Sequence, residues 1–269
     1  MLANASGVRA KIRRAEKHLR ELENALDAYF AENPYGLGAR GDNRTGISTF
    51  YITQVADIPD DIRVIIGDVV HNLRSALDHL AWQLVISAGN RPTGKTAFPI
   101  CSEQKDFLKK GIEKMRGMRQ AAQDAIAVLQ PYTGNDPNNN LLQLHKLSNV
   151  DKHRVVLTAG PRFFGHTLTP SQRKDITDRF YGSYPKDHPA PMLKGVFIPP
   201  TKPAIFPLQA GAELVTLPIS EVEKDLQFHF QIGFDEPGII QGEAVDAALH
   251  RMLALVRAIV DDFTSNHFN

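Results

Sequence analysis

Two short segments of the chain concentrate side chains that hold or move protons. Residues 68–85, "DVVHNLRSALDHLAWQLV", carry His71, Asn72, Arg74, Asp78 and His79. Residues 141–157, "LLQLHKLSNVDKHRVVL", carry His145, Asn149, Asp151, Lys152 and His153. An imidazole titrates near neutrality and serves as general acid or base. A guanidinium stays charged and grips a phosphate bidentately. Imidazoles and carboxylates at helical spacing can also ligate a divalent metal.

The apolar residues around them fix their faces. At 100° per residue, Ile62, Ile66, Val69, Leu73, Ala76, Leu77, Leu80 and Leu84 form the core stripe of one long helix, about residues 60–86. Its polar half splits into two rows, Asp68/Asn72/Ser75/His79 and His71/Arg74/Asp78, whose members are one turn apart. Trp82, the chain's only tryptophan, lies between the rows, which predicts that something covers this side. The bland arrangement is an Arg74–Asp78 ion pair with the histidines bonded to backbone. In the second segment, a helix over about 139–153, His145, Asn149 and His153 share one side, with Lys152 alongside. Leu141, Leu144 and Leu147 occupy the other side, and Asp151 falls among them. A carboxylate there needs a basic partner, Arg74 for example, or a frayed helix end. Facing bundle helices are a common way to build an internal polar site.

Arg74-Ser-Ala-Leu-Asp-His79 resembles the RxxxxH motif of HEPN domains. The resemblance implies a dimeric helical bundle acting as a metal-independent endoribonuclease of a toxin or antiphage defence system. It would make Arg74 and His79 the catalytic pair, with RNA as partner and a second copy completing a composite site. His79 would move the proton of a ribose 2′-hydroxyl or leaving oxygen, and Arg74 would hold the scissile phosphate. His71, Asn72, Asp78, His145, Asn149, Asp151, Lys152 and His153 would support the site. Residues five apart lie about 140° apart on a straight helix, so the pair converges only through arginine's reach or across a dimer. No cofactor is expected on this reading. "LHKLSNVDKHR" is similar to the C-terminal motif of DinB-like metal-dependent hydrolases, although Asn149 stands where that motif has a histidine. This second resemblance implies a divalent metal on His71, His79, His145 and His153. A non-enzymatic binding or regulatory bundle is the remaining class.

The other elements follow from periodicity and breakers. Residues 8–32 form a helix with Val8, Ile12, Ala15, Leu19, Leu22 and Leu26 on one face; "ENPYGLGARGDN" breaks it. "ISTFYITQV", residues 47–55, is a short strand. Two shorter helices flank Gly111 or Gly117, and residues 242–266 form a final helix. Between them, residues 155–235 hold most of the prolines and several alternating runs. The expected fold is α+β, mainly α: a helical bundle (1–157), a β-rich insert (158–236) and a C-terminal helix returning to the bundle (237–269).

Composition excludes few classes. The chain has 269 residues, 42% hydrophobic and 23% charged, with net charge +1. It is large enough to bury a core without staples. Cys101 is the only cysteine, which excludes an intrachain disulfide and fits a cytoplasmic setting. No apolar run reaches the roughly 18 residues needed to span a bilayer, so no membrane is expected, and the first residues lack a secretory signal's apolar core. Arg9, Lys11, Arg13, Arg14, Lys17 and Arg20 face only Glu16 in the first twenty residues. That basic run can meet an anionic partner such as RNA, or simply face solvent.

Overall fold

The structure of the protein, a computed structural model, describes residues 3–153, 157–181, 196–200, 206–224 and 226–268. In chain order these form α1 (Ser6–Ala31), β1 (Tyr35–Asp42), β2 (Ile47–Val55), α2 (Asp60–Ser87), α3 (Gln104–Asp106), a π-helical turn (Phe107–Gly111), α4 (Ile112–Lys114) and α5 (Gln120–Val128). There follow α6 (Asn140–His153), β3 (Ala159–Thr167), α7 (Pro170–Tyr181), β4 (Phe197–Ile198), β5 (Glu213–Pro218), β6 (Phe228–Glu236), β7 (Ile240–Ala244) and α8 (Val245–Asn266). The fold is α+β and mainly α, with two small antiparallel sheets. No helix among the described residues is long and apolar enough to cross a membrane.

The chain divides into two compact units. The first comprises residues 1–28, 59–158 and 234–269, and is the helical bundle. Its centre is α2. Asp60 and Asp61 open that helix, where carboxylates suit the positive end of the dipole. Every residue of the expected core stripe, Ile62 through Leu84, is buried. Helix α1 buries Val8, Ile12, Ala15, Leu19 and Leu22. It runs antiparallel to α2: a Cβ on Gly7 would lie 3.7 Å from His79 Nδ1, while His18 Nδ1 lies 4.0 Å from Asp68 Oδ2. It is also antiparallel to α8, through Arg9–Asp261 at 3.5 Å, Glu16–Arg257, and His250 Nε2–Glu23 at 2.9 Å. Helix α6 packs on α2 and α8.

The second unit comprises residues 29–58 and 159–233. One sheet has the order β1-β2-β5; the other has the order β4-β3-β6-β7 and continues along β6 to its hairpin with β7. This corrects the expected domain boundaries, which left residues 29–58 in the bundle. The cause is twofold. β2 pairs with β5, Thr49 opposite Thr216, and an aromatic cluster forms the unit's core. In it Tyr35 lies 4.6 Å from Phe230, Phe50 lies 5.1 Å from Phe228, and Phe163 lies 5.7 Å from Phe230. "YGLGARGD", expected to be irregular, is strand β1. A Cβ at Gly36 would meet Thr53 Oγ1 at 2.4 Å, and one at Gly38 would meet the Tyr51 ring at 2.6 Å. The glycines make room for bulky cross-strand neighbours. Helix α7 inside the β-rich segment is a further departure, as are the β6–β7 hairpin and its strand β7, which contains Gly242.

Candidate functional site

The long helix α2 sorts its polar residues into an inner and an outer set. The inner set holds the fold together. Arg74 is 5% exposed, and its Nη2 donates to the Phe98 carbonyl at 2.8 Å and to Asp78 Oδ1 at 2.9 Å. The same carboxylate oxygen accepts the Phe98 backbone N–H at 3.0 Å. Arg74, Asp78 and the backbone of Phe98 thus close a ring that ties the segment after α2 back onto it. Asn72 is buried too, and its amide donates to the Asp68 carbonyl at 2.8 Å. Burial pulls the Arg74 pKa down from its ordinary value, and the charge and hydrogen bond of Asp78 oppose that shift.

The outer set is a strip of α2. His71, Ser75 and Trp82 fall within about 40° of one another around the helix axis. His71 is exposed, Ser75 is half-buried, and Trp82 is 42% exposed. The expectation that Trp82 is covered therefore fails within the chain. Ser75 Oγ and His71 Nε2 are 3.4 Å apart. Helix α1 borders the strip on one side, through Gly7 at His79, His18 at Asp68, and the Asn4 N–H donated to Gln83 Oε1 at 2.9 Å. Positions 7, 11, 14 and 18 form one ridge of α1, so Lys11 and Arg14 lie along this edge. Arg14 is exposed and Lys11 half-buried.

Helix α6 borders the other side. Asp151 meets α2 at Gly67, where a Cβ would stand 2.3 Å from Asp151 Oδ1. Burial raises the Asp151 pKa; the charge of His71 opposes that rise, Asp68 adds to it, and Lys152 opposes it. Asp151 is not the partner of Arg74, which belongs to Asp78. His145 is pushed down to about 4, first by burial, then by the charges of Arg74, Lys114 and Lys152, so its ring is neutral at pH 7. Its Nε2 lies 3.4 Å from Asn149 Nδ2, and its Nδ1 is buried without a hydrogen-bond partner among the described residues. Asn149 and Lys152 are exposed. His153 ends α6, but its side chain lies outside what is described.

The two residues of the R-x4-H motif are not brought together in one chain. Arg74 is buried in its ring, whereas His79 is exposed beside α1. Among the described residues, no three His, Cys, Asp or Glu side chains converge as a metal would require. His71, His79 and His145 form no such group with one another, and the side chain of His153, the fourth residue of the expected metal set, lies outside the described residues. The sequence did not single out Gly67 or the Phe98 peptide as parts of this region. Gly67 had a legible signal, since a glycine inside a helix costs about 1 kcal/mol relative to alanine and calls for a reason. The Phe98 carbonyl had none.

The arrangement defines a class: a mainly α protein of mixed fold whose bundle exposes imidazole, hydroxyl and indole groups beside a basic ridge. No protein-family model, curated protein or solved structure matches the chain.

Proposed function

We propose that the protein is a cytoplasmic binding protein for single-stranded RNA, which it holds on the α1–α2 surface of its bundle. The observation that carries this reading is the pairing of an exposed aromatic with free cations. Trp82 is 42% exposed, one turn from exposed His79. Lys11 and Arg14, on the α1 ridge that borders α2, make no ion pair among the described residues. Stacking on an aromatic and neutralisation of phosphates are the two terms of sequence-tolerant single-strand binding. The burial of Arg74 favours binding over cleavage, because the guanidinium that would grip the scissile phosphate is engaged.

The test is fluorescence anisotropy with a labelled oligouridylate of about a dozen nucleotides, titrated with the full chain at several salt concentrations. Binding is expected with a log–log salt slope that falls by about 0.7 for each phosphate-contacting cation removed. Lys11→Ala with Arg14→Ala should lower the slope, and Trp82→Ala should weaken binding. A wild-type chain that leaves the oligonucleotide free at low salt overturns the reading.

A second reading, HEPN-like RNA cleavage across a homodimer, is favoured by the exposure of both His71 and His79. In it a second copy brings the missing group to His79. It predicts shortened RNA in the presence of EDTA, lost in His79→Ala. Intact RNA after prolonged incubation removes it and leaves the binding reading in place.

A further inference from the structure

The second unit carries an aromatic cluster that its core does not use. Strand β3 places two phenylalanines in succession, so they must point to opposite faces. Phe163 is 2% exposed and packs against the half-buried Phe228 and Phe230 on the inner face, at ring distances of 6.2 and 5.7 Å. Phe164 is 36% exposed on the other face. There it meets the His229 ring of β6 edge-on at 5.3 Å. The same His229 ring lies 4.7 Å from Phe197 of β4, at an interplanar angle of 36°. Arg162 stands 6.0 Å from the Phe164 ring centre and is steadied by a 3.3 Å hydrogen bond to Gln231 Oε1. Phe164, His229 and Phe197 thus come from three neighbouring strands, with a cation at one end.

A single exposed phenylalanine needs no explanation. Three ring systems on one half-exposed sheet face, aligned beside an arginine, are a different matter. They are built from residues that core packing does not require. We infer that this face of the β4-β3-β6 sheet is a stacking platform for unpaired bases of single-stranded RNA, with Arg162 beside the phosphate of a stacked nucleotide. Every base has a π-face, so such a platform accepts any sequence. An arginine at its end offsets the one negative charge that a stacked nucleotide carries. The inference rests on the RNA-binding reading and adds a second, stacking-dominated surface to it.

The two surfaces separate by salt dependence. Stacking is short-ranged and leaves the salt slope unchanged, whereas loss of the α1 cations lowers the slope. In the anisotropy titration with labelled oligouridylate, Phe164→Ala is expected to weaken binding roughly 5- to 150-fold, from the usual range for one base–aromatic stack. Its slope should match the wild type. Phe164→Tyr keeps a stacking ring and should bind within about twofold of wild type. Phe164→Leu keeps an apolar side chain without the ring and should behave like Phe164→Ala. Thermal unfolding of each variant, with a midpoint equal to wild type, establishes that the face and not the fold has changed. Wild-type affinity in both Phe164→Ala and Phe164→Leu overturns the platform, and leaves RNA binding by the bundle standing if the α1 variants weaken it. Equal weakening in the Leu and Tyr variants also overturns it. If the α1 variants bind as wild type while Phe164→Ala does not, the platform stands and the bundle surface falls.

Discussion

Removal of Asp78 is the sharpest test of how α2 is built. Its carboxylate accepts the Arg74 guanidinium at 2.9 Å and the Phe98 backbone N–H at 3.0 Å. Asp78→Ala strips the Phe98 N–H of its acceptor and leaves the buried Arg74 guanidinium without its counter-charge, while Nη2 keeps the Phe98 carbonyl. A hydrogen bond to a charged group contributes about 1.5–3 kcal/mol, and an unsatisfied buried donor costs about 1–3 kcal/mol. Asp78 has 34% of its side chain exposed, so water replaces part of each loss. The expected destabilisation is then about 2–3 kcal/mol, below the 3–5 kcal/mol typical when one partner of a fully buried pair is removed. Asp78→Asn keeps an acceptor oxygen for both donors and should cost only about 1 kcal/mol. Arg74→Met combined with Asp78→Leu should cost less than the sum of the single changes, because no charge is left alone. Urea unfolding at neutral pH gives the free energies, and hydrogen exchange at the Phe98 amide reads the ring directly. A loss below about 0.5 kcal/mol in Asp78→Ala, with the Phe98 amide still protected, refutes the clamp. The outcome also bears on function. If Arg74 is a clamp, loss of activity in Arg74→Ala reports a weakened fold and says nothing about phosphate binding.

Three further outcomes follow from the same region. Gly67→Ala should destabilise, because the new methyl would stand 2.3 Å from Asp151 Oδ1. In an Asp151→Ala background the same change should instead stabilise by up to about 1 kcal/mol, the ordinary gain of alanine over glycine in a helix; thermal melts show whether the sign reverses. His145 is held near 4 in the folded chain against an ordinary value of 6.5, so the unfolded chain takes up its proton first. The stability it contributes is complete above about pH 6.5, is lost as pH falls towards 4, and amounts to something on the order of 2 kcal/mol. His145→Leu should flatten that fall, measured by urea unfolding across the window; an unchanged profile refutes the assignment. Trp82 emission in the native chain should be red-shifted and accessible to acrylamide, and bound oligouridylate should quench it; a blue, shielded native emission would contradict its exposure.

Much of the fold was legible because it rests on long periodic segments. The stripe from Ile62 to Leu84 and the apolar rows of α1 and α8 have the helical period over many turns, and burial follows it. Strand β1 was not legible, since glycine is poor evidence for a strand and the reason for Gly36 and Gly38 lies across the sheet in Thr53 and Tyr51. The hairpin's unit could not be read either, because its pairing with β5 spans a sequence gap that no local pattern records. At the site, spacing correctly put Arg74 and Asp78 one turn apart. It could not choose between a phosphate and a peptide carbonyl as the guanidinium's acceptor, for both are satisfied by the same donors. Asp151 shows the same limit: its place on the apolar side of α6 was visible, but not that a glycine on α2 would receive it.

The crowding of titratable groups on α2 therefore has two causes rather than one. Arg74 and Asn72 are buried and Asp78 is half-buried, and each makes a hydrogen bond to backbone or to another of the three. His71, Ser75, His79 and Trp82 make no hydrogen bond to Asp78 or to the Phe98 backbone among the described residues, and burial does not require them. Substitutions in the inner set should move stability first and binding only as a consequence. Substitutions in the outer set should move binding at constant stability. The motif that joins Arg74 to His79 in sequence crosses that divide, so a variant of each residue, measured for both stability and binding, separates a positioning role from a contact role in the same experiment.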